Sequence, residues 1–385
     1  MRRWVRRSAA AALLGFGLVG VGVGHAGAQA PGGEAAPEYI YVSLQGEAGV
    51  AVVDATTFQE VARVDLTELG FSVNASPHHT AVDPDGSHWY VSLITENRVV
   101  KFDRDNRMVG QAELEAPGLM VRDPEGPWLY VARSMMAADP PRSVGRIDTG
   151  TMEVEELDVF FPRPHGVALA PSLGRIFSGS LSQNQMGSLE VETLEMGLWN
   201  LEGPIHTVVQ VAVSPDASTL VATGELTGQL LVFDLETPGE PRLRHSVEVG
   251  SGPWHPIFEP DGRRVWMGLK GDDAVVAVDV ASGEVVERVV HPAFHGPHGA
   301  LIRSDGRYLF VSSSGPGGMQ VGQTLAGGAH HDMDHGHDHG PEHGHHERGE
   351  GRQVGTLAVI DIATGEVVRI LEMGRNTTGI GMRPW

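Results

Sequence analysis

A turn that recurs at near-constant spacing constrains this chain more than any other feature. Anchored on the residue that opens each turn, the copies fall at Pro84 (DPDG), Pro124 (DPEG), Pro171, Pro215 (SPDA), Pro260 (EPDG), Ser304 and Pro384. The first five intervals are 40, 47, 44, 45 and 44 residues. A period in this range, with several short β-branched runs per unit, predicts propeller blades and not helical solenoid repeats. Each unit reads as a strand, the turn, a second strand (WYVSL, LYVAR, RIFSGS, LVATG, VWMGL, LFVSS), a third (RVVKFDR, QLLVFDL, AVVAVDV, TLAVIDI) and a fourth (EVVERVV, EVVRILE). No segment carries a long apolar period of 3.6 residues, so the fold class is all-β.

Counting predicts seven blades. Six units begin at about residues 76, 116, 163, 205, 252 and 296. The remaining one is divided between the termini: TTGIGMRPW would be its innermost strand, and EYIYVSL, AGVAVVDA and EVARVDL the other three. Pairing the two chain ends in one sheet closes the ring and covers edges that would otherwise invite aggregation. DPDG and EPDG resemble calcium loops only superficially, because they recur with the blade period and lack spaced acidic ligands.

Residues 1–30 combine four arginines, an apolar run and a small-residue end at AQA, the pattern of a secretory signal. The alternative is an uncleaved anchor, for which the run is short. Residues 31–38 read as a linker, and 39–385 as the seven-bladed β-propeller with a His-rich insertion at about 327–352. The expected location is therefore periplasmic or secreted in a bacterium. The chain has no cysteine, which excludes thiolate metal sites, cysteine nucleophiles and c-type haem attachment. Its formal charge of −21, about −25 once the four signal arginines are removed, argues against nucleic acid and anionic lipid as partners. A monomer with no membrane span after signal cleavage is expected.

The chemistry lies in the 19 histidines. Eight stand in the insertion: His330, His331, His335, His337, His339, His343, His345 and His346. Mixed with acids and glycines they cannot build a core, and at this density they bind Zn²⁺, Cu²⁺ or Ni²⁺, whether as a biological device or incidentally. A second set follows the blade register. His78, His165 and His298 lie six residues before their turns, His79 and His255 five before, and His206 and His295 nine before. The strand before the turn is innermost in a propeller, so these residues are expected to ring one mouth of the central channel. Neutral imidazoles without thiolates suit copper or zinc. The competing expectation is local: imidazoles bonded to neighbouring backbone around a water-filled channel. In a regular strand only one of His78 and His79 faces inward, and both could ligate only if the strand start is irregular.

PHGVALAP…RIFSGS, DPDGSHWYVSL and VIDIATGEVVRIL resemble the YVTN family of seven-bladed bacterial propellers, over essentially the whole mature chain. That resemblance implies the fold and little about activity. The paired His78 and His79, with the other channel histidines, are similar to the nitrous oxide reductase propeller, which implies copper held by several blades; the cysteine-bearing copper domain of that family is absent. GPWHPIFEPDGRRVWMG is similar to lactonases of the 6-phosphogluconolactonase type and implies His255 as a general base, with Trp254 standing where that family has an arginine. The expected function is an exported propeller that binds copper or zinc through channel-mouth histidines and the His-rich loop. The alternative is a metal-free extracytoplasmic scaffold whose rim loops bind a protein or polysaccharide; a copper-dependent oxidoreductase or a lactonase-like hydrolase comes behind these.

Overall fold

Alternating β-branched residues and recurrent Asp turns set strands close together along the chain. The structure, a computed structural model describing residues 38–137, 141–316 and 354–382, contains twenty-eight of them. Numbered β1 to β28 in chain order, they form seven antiparallel sheets of four strands. The turns are closed by side chains: Asp54 Oδ1 accepts the backbone N–H groups of Thr56 and Thr57, both at 2.8 Å, and Asp148 and Asp279 do the same in their own blades.

The innermost strands are β4 (Pro77–Val82), β8 (Pro117–Arg122), β12 (Pro164–Ala170), β16 (Val208–Val213), β20 (Pro253–Phe258), β24 (Pro297–Ile302) and β28 (Thr377–Gly381). Each packs against the next, and β28 packs against both β24 and β4, so the ring is closed. The closing blade is built as the sequence predicts: β28 pairs with β1 (Tyr39–Leu44), which continues into β2 (Gly49–Asp54) and β3 (Gln59–Asp65). Glu38, the last residue of the expected linker, is already buried, and its carboxylate accepts a hydrogen bond from Ser304 across the joint. The expected signal, the rest of the expected linker and the His-rich insertion lie outside the described residues. Among the described residues, no helix is long and apolar enough to cross a membrane.

The core lies between blades. Tyr41 stacks on Trp89 with ring centroids 4.6 Å apart, and Trp89 on Phe102 at 4.2 Å, tying the first blade to the second. Equivalent apolar clusters fill the other junctions.

One local device repeats in every blade and positions the site. The residue just before each innermost strand is left-handed: Ser76, Ala116, Arg163, Thr207, Gly252, Gly296 and Asn376 have φ from 40° to 64°. Five of these seven carry a Cβ and a side chain, for which that conformation is costly. A shared hydrogen bond compensates. The carbonyl of each accepts the N–H of the residue that follows the second strand of its blade, namely Ile94, Ser134, Leu181, Glu225, Lys270, Ser314 and Gln45, at 2.7–3.2 Å. Immediately after it the strand pairing slips, between Pro77 and Thr80, Pro117 and Met120, Pro164 and Gly166, and correspondingly in the other blades. These bulges re-aim the second and third residues of the strand.

Close approach needs glycine at one of these points. A Cβ on Gly379 would overlap the carbonyl oxygen of His78 and come within 2.7 Å of His79 Cα. Replacement of Gly379 by Ala is expected to destabilise the ring by about 1–3 kcal/mol through overpacking. Gly239→Ala, where a Cβ meets nothing within 4 Å, should cost less than about 0.5 kcal/mol. Urea unfolding of the two variants measures the difference.

Candidate functional site

Five of the seven channel histidines meet in one layer. His78, His165 and His298 are the second residues of β4, β12 and β24, and Trp254 occupies the same position in β20. His79 and His255 are the third residues of β4 and β20. The bulges let both members of the His78–His79 pair point inward, which a regular strand forbids. His255 itself is left-handed, at φ 38°. Ring centroids run from His165 to His78 at 6.3 Å, His78 to His298 at 5.6 Å, His298 to His255 at 4.8 Å and His255 to His79 at 5.9 Å.

His206 and His295 are not in the layer. Each stands immediately before the left-handed residue of its blade, Thr207 and Gly296, and so precedes the device that turns the strand inward. His206 is satisfied locally: Nε2 donates to Glu202 O at 3.0 Å, and Nδ1 lies 2.9 Å from Thr227 Oγ1. His295 is half exposed on the rim, 3.8 Å from Asp273.

Hydrogen bonds fix the tautomer in three of the five rings. His165 Nδ1 donates to Val209 O at 2.6 Å and His78 Nδ1 to Gln45 Oε1 at 3.4 Å, so in both rings Nε2 carries the lone pair. His78 Nε2, His165 Nε2, His255 Nε2 and His298 Nδ1 are all buried without a hydrogen-bond partner. His79 differs: its Nδ1 accepts the Met120 N–H at 3.3 Å, which leaves the proton on Nε2.

Electrostatics keep the layer neutral. Burial, with some repulsion from His165, holds His79 at about 4. Burial also takes His165 to about 4, against a raising effect of its bond to Val209. His78, His255 and His298 are lowered well below the ordinary imidazole value, first by burial and then by the other histidines and Lys270.

Four members of the site escaped a reading by residue type. Trp254 is buried with its ring 4.5 Å from His298 and 5.8 Å from both His165 and His255, and its Nε1 donates to Glu225 Oε1 at 3.2 Å. Lys270 Nζ lies over the Trp254 ring, 4.2 Å from the centroid. Burial pushes that lysine down to about 8, opposed by the charge of Glu225. Gln45, Glu225 and Lys270 all follow the second strand of their blades, the position tied to the left-handed residue. That column, read down the seven units, was the available signal. Met135 joins Leu181, Val209 and Trp254 in a small apolar cluster, whereas Met136 is exposed.

Two imidazoles bound to one tetrahedral ion at 2.0–2.1 Å have ring centroids about 5 Å apart. The separations in the layer are of that order. The donor atoms nevertheless do not converge: among the described residues no group of three or more His, Asp or Glu is arranged to hold an ion. Occupation would require these nitrogens to draw closer together.

The fold and this layer define the class of protein: a seven-bladed β-propeller whose channel is stoppered by histidines. No protein-family profile matches the chain, and no curated protein does. Solved structures match by shape. A protein of unknown function from Desulfotomaculum acetoxidans aligns with a TM-score of 0.66 and 13% identity, over 89% of this chain and 98% of its own. Hydrazine synthase of Kuenenia stuttgartiensis gives 0.57 and 16%, over 80% and 89%. A streptogramin B lyase gives 0.56 and 12%, over 80% and 87%. At these identities the likeness is one of fold.

The depressed imidazoles make stability depend on pH. A histidine of ordinary value 6.5 when unfolded and about 4 when folded takes up its proton first in the unfolded chain, so its contribution is complete above pH 6.5 and is lost as pH falls toward 4. For His165 the full loss is about 3 kcal/mol. Urea unfolding free energy should therefore fall between pH 6.5 and 5, and the His165→Gln variant should show a shallower slope across that window. An equal slope in both proteins would mean that His165 is not held neutral.

Proposed function

We propose that this protein is an exported metal-binding propeller that captures copper or zinc in the histidine layer. The observation that carries the reading is the set of four buried imidazole nitrogens without partners in one layer. Buried polar atoms are ordinarily satisfied, and orphaned ones collected in one place call for a partner such as an ion. The rings supply what such an ion needs: neutral nitrogen donors, lone pairs fixed by second hydrogen bonds on His165 and His78, and contributions from four blades. His78, His165, His255 and His298 would be the ligands. His79, with its proton on Nε2, would support the layer without ligating.

The His-rich insertion, with His330 through His346, would raise the local concentration of metal. The described residues that lead toward it support this part of the reading. It lies in the segment between β25 (Tyr308–Ser313) and β26 (Thr356–Asp361), and the residues that leave β25 are tied to the entry of the His298 strand by the bonds Ser314 N–H to Gly296 O and Gly315 N–H to His295 O, 3.1 and 3.0 Å. The chain thus leaves the wheel on the face where the histidines stand. The export signal and the YVTN-type repeat belong to the same proposal; bacterial propellers among the structural neighbours agree with it at the level of fold.

Elemental analysis tests the reading. Untagged mature protein lacking residues 329–350 should retain close to one equivalent of copper or zinc, and His165→Ala with His298→Ala should retain less than a tenth of that. Absence of metal from the shortened protein after reconstitution would leave a metal-free scaffold as the function.

A further inference from the structure

The histidine layer has a second consequence, on its far side. A cavity of about 500 Å³ runs inward from the turn face, past Pro124, Pro171 and Pro215, and stops at His79 and His255. The rings one step closer to the strand starts, His78, His165 and His298, do not line it. The channel is therefore blind. Its walls are largely apolar, made of residues such as Ala81, Met120, Val167, Ile257, Ala300 and Ile380, and its size falls in the range of small-molecule sites.

The blind end is polar in a defined way. The third residues of the seven innermost strands are His79, Leu119, Gly166, Gln210, His255, Gly299 and Gly379, and of these the three polar ones line the cavity. His79 Nδ1 is occupied as an acceptor by the Met120 N–H, and Gln210 Oε1 is occupied by the Val211 N–H at 3.2 Å. Donors remain on both, the Nε2–H of His79 and the amide hydrogens of Gln210, beside one further lone pair on Gln210 Oε1. His255 adds a ring nitrogen, Nε2, buried without a partner. Charge is absent from this end. The lining arginine, Arg122, is engaged by Asp83 and by the carbonyls of Gly126 and Trp128, at 2.6, 2.7 and 3.1 Å.

We propose that the blind channel is a binding site for an uncharged, largely apolar small molecule that ends in a carbonyl-type oxygen, with that oxygen accepting hydrogen bonds from His79 Nε2–H and the Gln210 amide. A carboxylate is disfavoured because no free cation faces it in an apolar enclosure. The site does not depend on a metal, although His255 borders both it and the histidine layer.

The test uses prodan, an uncharged aminonaphthyl ketone whose emission shifts to the blue in apolar surroundings, and the analogue in which a propyl group replaces the propionyl group. Both are titrated into the full mature protein with a chelator present, so that failure of the metal reading leaves the result intact. The expected result is one-to-one binding with a blue shift and a preference for the ketone. Gln210→Leu, which keeps the volume and removes the donor, should weaken the ketone about tenfold and leave the hydrocarbon analogue within twofold. Ala300→Phe and Ala168→Phe, which fill the channel from different blades, should each abolish binding of both probes while retaining a cooperative thermal transition. No binding by the parent protein overturns the proposal. So does undiminished binding by a folded channel-filled variant, or a ketone preference that survives Gln210→Leu.

Discussion

Every blade hangs on one hydrogen bond. The carbonyl of a left-handed residue at the entry of the innermost strand receives the N–H of the residue after the second strand, in all seven repeats. That bond holds an otherwise unfavourable conformation in Ser, Ala, Arg, Thr and Asn as well as in glycine, and it fixes the entry angle of the strand. The bulge that follows sends two successive side chains inward. Without this device His78 and His79 would point to opposite sides of the sheet, and the imidazoles of four blades would not meet. The same bond brings Gln45, Glu225 and Lys270 to that face, because each supplies the donor in its blade. Backbone geometry common to the whole ring thus assembles a site that only some blades furnish with chemistry.

The site is costly as it stands. Buried ring nitrogens without partners forgo hydrogen bonds that water would supply to the unfolded chain, a cost on the order of 1–3 kcal/mol for each group. Apolar side chains would fill the layer without that loss, as Val209 does at the corresponding position of its blade. A lysine held over Trp254 and against Glu225 adds a buried charge pair to the same few residues. Local conflicts of this kind, set in a fold whose turns, strands and inter-blade core are mutually consistent, mark functional positions.

Most of the fold was legible because the period is carried by turn chemistry. Pro and Gly in the turns, and Asp side chains that bond the backbone two and three residues on, recur at spacings set by four short strands, so blade number and the shared closing blade follow from counting. The site was partly legible for the same reason. Positions five and six before each turn are equivalent in three dimensions, and His78, His79, His165, His255 and His298 do converge. Position nine is also equivalent between blades, yet His206 and His295 lie outside the layer, because the left-handed residue intervenes and the turn count does not reveal it. Trp254 shares its column with His78, His165 and His298; its side chain, not its position, concealed its membership. Lys270 and Glu225 sit on the second strand's exit, where an ordinary reading of amphipathic surface residues places them in solvent. The polar trio at the blind end is a column of the same kind, with Gln210 as the member that no search by histidine spacing finds.

If the buried imidazoles are donors for an ion, as proposed, X-ray absorption at the metal edge registers it directly. The protein lacking residues 329–350 would be loaded with one equivalent of copper or zinc and its first coordination shell measured. Binding in the layer gives three or four imidazole nitrogens at about 2.0 Å, with the outer-shell scattering of the rings. A shell of oxygen donors without imidazole scattering would contradict it, because the metal would then sit outside the layer.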